Sequence, residues 1–448
     1  MARTKQTAKK SKGGEAARVQ LNVPLQEERI IQVGLMDVCD AGEHNDYCIV
    51  CRDGSMTTGS LFCCELCPRV TCTRCLDIPE DFKRVVAGDD VIFICISCHL
   101  ARQNKDGPNL PYFGFYMDDQ AVLPGFLPIR ATLEISQRAQ ISSAPVLLIH
   151  LKLVGCETAG CPFSLAHEFL QPYFPRGRIE YREVEFDIAT DTKATAYNRS
   201  CNKMLRDLSK QGRWERVVIG ITNHTDNENG DPFAGYRDGQ YIAGEVKEFM
   251  NIILSPWQLG IDRAQESYLW LFSCGGMVNN SQSFRALQNG VLAHRISASF
   301  AFAAPRFQPN FTSHLLLAFA EMVLIERFRV ADIFPQILSQ SNKLGRHTDV
   351  ILMTKNTDDG GLTVVKFSWA HVDHRPWGQT LPLQCPNCGF VDAWLPANVS
   401  GVYYFQCTNV RCKKILKFAQ PPGSKKLVPG KTGSSCWLAV PLPVHYFS

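Results

Sequence analysis

Between residues 144 and 370 the apolar positions switch repeatedly between a period of two and a helical period. Val146–Leu153 is a continuous apolar run, Ile179–Phe186 alternates, and Val217–Thr222 and Tyr268–Ser273 are again apolar. Runs of this length and β-branched content predict strands. Between them, Phe163–Tyr173 and Ala196–Gln211 carry the i, i+3, i+4 spacing of amphipathic helices. Ala234–Glu245 reads as a hairpin, and Ala243–Leu254, Ser283–Leu292 and Thr312–Arg329 read as further helices. Asp349–Thr354 is a last strand. Strands alternating with helices predict an α/β domain over residues 144–370 with a mostly parallel, covered sheet.

Outside that domain the periodicity weakens. Residues 25–45 read as a linker, with faint helical spacing over Leu25–Met36 that Gly34 interrupts. Residues 111–143 hold scattered prolines and aromatics and read as a connector, with a short helix over Arg130–Gln140. The chain has 448 residues, enough for two to four domains. A net charge of +4 is too small to argue for nucleic acid by itself. No apolar run reaches membrane-spanning length, and no apolar leader follows Met1, so a soluble, intracellular chain is expected.

The 19 cysteines change the picture. Cys48/Cys51, Cys64/Cys67, Cys72/Cys75 and Cys95/Cys98 are four C-x-x-C pairs within residues 46–110. Each pair can grip one side of a tetrahedral Zn²⁺, so four pairs predict two closed sites. A redox motif would need only one pair. Cys385-Pro-Asn-Cys388-Gly389 with Cys407 and Cys412, across an eighteen-residue spacer, predicts a third zinc in a ribbon over residues 380–420, followed by a tail over 421–448. Lys413, Lys414, Lys417, Lys425 and Lys426 give that end a basic face, a possible nucleic-acid contact or a solvated surface.

Asp46-Tyr47-Cys48-x-x-Cys51-x-Asp53, then Gly59-Ser60-Leu61-Phe62-Cys63-Cys64-Glu65-x-Cys67, then Cys72-x-x-Cys75, resembles the PHD finger family. An all-cysteine version, with Cys72 where histidine is common, is similar to the ADD subfamily. The resemblance implies cross-braced ligation, with Cys48, Cys51, Cys72 and Cys75 on one zinc and Cys64, Cys67, Cys95 and Cys98 on the other. Residues 1–24 open with Ala2-Arg3-Thr4-Lys5-Gln6-Thr7-Ala8, which looks like the amino-terminal tail of the core histone H-three. The likeness continues through Ala16, Arg18, Gln20 and Leu21. The departures are Lys9 for arginine, Lys12 for threonine, Glu15 for lysine, Ala17 for proline and Val19 for lysine. PHD fingers bind such tails, so the resemblance implies that the tail adds as a strand along Gly59–Phe62. The Ala2 ammonium would sit among carbonyls near Ala87–Phe93. Arg3 and Lys5 would face Asp46, Asp53 and Glu65. Tyr47 is a single aromatic wall and Val70 stands where tryptophan is usual, which favours unmethylated Lys5.

His224 ends the Val217–Thr222 strand segment, and Cys274-Gly275-Gly276 ends the Tyr268–Ser273 one, fifty residues later. Strand-terminal loops are where α/β sheets place chemistry. This arrangement resembles the caspase-like peptidases, including the CHAT and separase branches. The likeness implies that Cys274 attacks as thiolate, His224 moves the proton, and the Gly275 and Gly276 N–H groups lie near the oxyanion. Thr225 stands where the family usually has glycine. Cys156-Glu-Thr-Ala-Gly160 also resembles a CHAT nucleophile motif, but no histidine precedes it at the right distance; Cys156 and Cys161 read as structural thiols. The fold expected is therefore multidomain: a small cross-braced zinc finger, an α/β caspase-like sheet domain and a zinc ribbon. The function expected is a chromatin-associated reader of the unmodified histone H-three tail with its own tail mimic in the groove. The alternative is a cysteine peptidase that the finger targets.

Overall fold

The structure is a computed structural model that describes residues 17–18, 44, 47–52, 61–67, 69–100, 110–131, 142–157, 161–174, 177–210, 212–356, 360–429 and 435–444. Residues 2–7, Asp46, Asp53, Gly59 and Ser60 lie outside the described residues, as do the Leu25–Met36 helix and most of the Arg130–Gln140 one. Strand β1 (Ala17–Arg18) belongs to the α/β domain described below. In the finger, β2 (Leu61–Cys63) pairs antiparallel with β3 (Val70–Cys72). Then β4 (Ile92–Phe93), β5 (Phe115–Met117) and β6 (Gln120–Ala121) form a second small sheet. The expected boundary at residue 110 moves. Phe115, Leu123 and Leu127 are buried with Ile49, Leu76 and Phe93 in one core, and Arg130 donates its N–H to the Cys75 carbonyl at 2.9 Å. A finger this small has too little apolar surface of its own, and the supposed connector supplies it.

The α/β domain is one mixed sheet of nine strands. Its parallel half is β7 (Val146–Leu153), β8 (Ile179–Phe186), β9 (Arg216–Thr222), β12 (Glu266–Phe272) and β13 (Ala298–Phe302), in the order β8-β7-β9-β12-β13. The hairpin β10 (Phe233–Arg237) and β11 (Gln240–Ala243) leaves the sheet after β9 and pairs with β1. Beyond β13 the sheet turns antiparallel through β14 (Val350–Lys355) and β15 (Leu362–His371). Helices cover both faces, so β7 and β9 are apolar on both sides while edge strand β8 alternates. Helices α2 (Asp191–Ser209), α3 (Val246–Leu254) and α4 (Ser281–Ala293) pack one face. Helices α1 (Pro162–Leu170), α5 (Ser313–Phe319) and α6 (Val330–Ser339) pack the other. Thr190 accepts from the Lys193 N–H and so starts α2 five residues before the expected Ala196. The single helix expected over Thr312–Arg329 is α5 running into a π-helical stretch, Ala320–Ile325.

At the carboxyl end, β16 (Trp394–Val399), β17 (Val402–Cys407) and β18 (Ile415–Phe418) make the ribbon. The residues read as a tail are strands of the main sheet: β20 (Ser435–Pro441) pairs with β15, and β19 (Lys425–Pro429) pairs with β20. The ribbon packs on this edge through Trp377, Phe405, Phe418 and Leu438, and the Trp377 indole donates to the Gly401 carbonyl at 2.9 Å. The finger meets the opposite part of the domain. Arg52 pairs with Glu326 at 2.7 Å, and the Tyr47 ring lies 5.7 Å from Tyr173, its hydroxyl donating to the Pro172 carbonyl.

Candidate metal centres and a candidate thiol–imidazole site

Twelve thiols gather into three groups of four whose sulfurs lie within 4.8 Å of one another: Cys48, Cys51, Cys72 and Cys75; Cys64, Cys67, Cys95 and Cys98; Cys385, Cys388, Cys407 and Cys412. The sulfurs Cys51–Cys72, Cys67–Cys95 and Cys388–Cys407 are each 3.6 Å apart, and Cys385–Cys412 are 3.8 Å apart. A tetrahedron with metal–sulfur bonds of about 2.3 Å has edges of about 3.8 Å, so the donors fit one ion per group. A disulfide needs about 2.05 Å. Backbone N–H groups of Cys72 and Cys95 point at the Cys48 and Cys64 sulfurs at 3.2 Å, and the Asn387 amide donates to Cys412 at 3.1 Å. Such donors hold thiolates in the charged form that a metal requires.

Of the tail-binding residues, Leu61 and Phe62 lie on β2, with the Phe62 ring 4.8 Å from Phe115 and 5.7 Å from Phe93. Glu65 is exposed, and its N–H donates to the Phe93 carbonyl, taking one of the carbonyls expected for an ammonium. The Tyr47 ring packs on Tyr173 and its hydroxyl donates to the Pro172 carbonyl.

In the α/β domain the register pairs Thr222 with Phe272, which carries His224 and Cys274 to the same carboxyl edge of adjacent strands. Past the strand ends the two side chains pack against different neighbours. Cys274 packs with the core that contains Phe307, whereas the His224 ring sits edge-on to Phe233 and Tyr241 of the other core. The sulfur that reaches His224 is that of Cys156, which follows β7: Sγ lies 3.8 Å from Nε2. Thus the cysteine read as structural faces the imidazole, and the one read as its partner is linked to the next residue, Thr225, whose hydroxyl donates to the Cys274 carbonyl at 3.2 Å. The Gly275 N–H donates to the Ala304 carbonyl at 2.8 Å and so is no oxyanion donor.

Burial sets the protonation of this pair. It lowers the His224 imidazole below its ordinary value and pushes the Cys156 thiol up to about 11. Both are therefore neutral at rest, with a free base beside an unionised thiol. Burial also raises the Cys274 thiol, opposed by the Phe307 N–H. The loop after His224 is braced: the Asp226 carboxylate accepts the Glu228 and Asn229 N–H groups, and the Ser283 hydroxyl donates to the Asn229 carbonyl.

Sequence reasoning missed a second cluster under this edge. His150 on β7 is fully buried, with Nε2 2.8 Å from the Thr222 hydroxyl, Nδ1 3.4 Å from Glu183 and the Cys161 sulfur 3.8 Å away. Lys152 pairs with Glu183 at 2.9 Å. Burial lowers the His150 imidazole, with Glu183 opposing. Closed to substrate, the cluster ties β7, β8, α1 and the end of β9 together two residues before His224. The available signal was a histidine inside an apolar strand. Beside the Cys274 turn opens a cleft of about 880 Å³, walled by Ala303, Arg346, His347, His371, His374 and Arg375.

No family model matches the chain, and no curated protein matches it. Among solved structures, it is similar to a secreted C11 cysteine protease from Bacteroides thetaiotaomicron, crystallised with an irreversible peptide inhibitor. The identity is 8%, the match covers 47% of this chain and 66% of that one, and the TM-score is 0.28. The chain thus spans less than two thirds of that structure's length, and at this score the likeness carries no argument about fold or chemistry.

Proposed function

We propose that the chain is a cysteine hydrolase acting on peptide bonds, joined to a zinc-braced finger that directs it to its target. One observation carries this reading: His224 Nε2 lies 3.8 Å from the Cys156 sulfur at the carboxyl edge of the parallel strands. In the reaction, Nε2 takes the thiol proton as the sulfur bonds to the peptide carbonyl carbon. Cleavage of the C–N bond sends that proton to the leaving amine and leaves a thioester. His224 then deprotonates water, hydroxide attacks the thioester, and the carboxylate departs as the thiol is re-formed. Cys274 gives a second version, favoured by its register beside His224.

The test is labelling of the full chain with a peptidyl acyloxymethyl ketone, with Cys156→Ala, Cys274→Ala and His224→Ala alongside. Label on Cys156 that is lost in Cys156→Ala and His224→Ala supports the proposal. Loss in Cys274→Ala alone transfers the nucleophile to that residue, and labelling indifferent to all three ends the hydrolase reading.

A tail-reading role for the finger is the second reading. It is supported by β2, which among the described residues pairs on one edge only, with β3. Histone-type tail peptide titrated against the intact chain and against one beginning at Glu27 separates the cases: equal affinity removes self-occlusion.

A further inference from the structure

Two residues of the histone-like segment make a pairing in the α/β domain. Ala17 and Arg18 lie as β1 along β11, in parallel register, Ala17 opposite Ile242 and Arg18 opposite Ala243. On its other side β11 pairs with β10, so β1 completes a three-stranded sheet. With β1 in place Ile242 is 5% exposed and Ala243 0%; without it that edge would present unpaired N–H and C=O groups. Such an edge is a template for strand addition. The neighbouring residue on β11 is Tyr241, whose hydroxyl donates to the Val154 carbonyl at 3.1 Å and whose ring stands 6.3 Å from His224. The added strand therefore runs along the outside of the wall of the thiol–imidazole site.

One departure from the histone tail falls on β1 and a second lies one residue beyond it in the sequence. Alanine at position 17 replaces a proline, which has no N–H and is restricted in a ladder. Valine at position 19 replaces lysine with a β-branched strand former. We propose that the outer edge of β11 is a peptide-docking site occupied by the chain's own residues around Ala17–Arg18, and that these two replacements adapt the histone-like segment to it. The site takes an extended peptide through main-chain hydrogen bonds, and it prefers this chain's tail to a histone tail with proline at that place. This goes beyond the hydrolase reading and does not need the thiol to react.

The test uses the full chain carrying Ala17→Pro with Arg18→Pro. Consecutive N–H groups of a strand point to opposite edges, so the pair removes whichever one faces β11. Amide exchange over Gln240–Ala243 should quicken at least tenfold. A fluorescent peptide spanning residues 10–26 should bind the double variant at least tenfold more tightly than the unaltered chain. The same peptide with proline at position 17 and lysine at 19 should bind more weakly. Unchanged exchange, equal binding to both chains, or no preference between the peptides would each overturn the proposal. All three readouts are independent of catalysis, so a dead thiol leaves them intact.

Discussion

Replacing His224 by alanine isolates what the imidazole does for Cys156. Burial holds that thiol at about 11, so without help about one molecule in a thousand is thiolate at pH 8, roughly a hundredfold fewer than for an ordinary cysteine. A neutral imidazole 3.8 Å away can take the proton as the sulfur reacts, which is typically worth about 10²- to 10⁴-fold. His224 is neutral above its lowered value, so its help should already be present at pH 7. The assay is iodoacetamide alkylation from pH 5 to 10, read by mass spectrometry on the Cys156 peptide. The native chain should label with a shallow profile above pH 6.5. His224→Ala should label about a hundredfold more slowly at pH 7 and rise tenfold per pH unit, converging near pH 10. Superimposed profiles would refute the coupling, since the thiol would then be titrating alone.

Three further outcomes follow from the geometry. The purified chain should hold three equivalents of zinc, and Cys385→Ser should lose one of them while leaving the α/β domain folded; elemental analysis with circular dichroism decides. Arg52→Ala strands the Glu326 carboxylate, which is 10% exposed. The cost should be about 1–2 kcal/mol, less than for a fully buried pair because Arg52 itself is 42% exposed. The finger should then be cut from the domain faster in limited proteolysis, and an unchanged cleavage rate counts against the interface. His150, His224 and His294 all have imidazoles lowered by burial. The folded chain therefore binds fewer protons than the unfolded chain near pH 6.5, so stability is complete above that value and falls as pH drops below it. Between pH 7.5 and 6.0 the three together should cost up to about 2 kcal/mol, seen as a lower urea midpoint; a flat midpoint contradicts the assignment.

The strands β7, β9 and β12 are legible because covered strands must be apolar over their length, edge strand β8 because it alternates, and the metal tetrads because thiol spacing is a local property of short loops. Strand β13 is not legible, since Ala298–Phe302 is a five-residue run with no periodicity to separate it from a buried helix turn. Strands β19 and β20 are not legible in the sequence, because nothing local tells a strand that its partner, β15, lies on the far side of a ribbon. The candidate site divides the same way. Residue types and strand ends alone pointed to His224 and Cys274 as chemistry at one sheet edge. Which sulfur faces the imidazole depends on how the loops turn after their strands, and that is set by Phe233 and Tyr241 on one side and the Phe307 core on the other. Side-chain direction past a strand end is a tertiary property: the pleat no longer dictates it, and packing does.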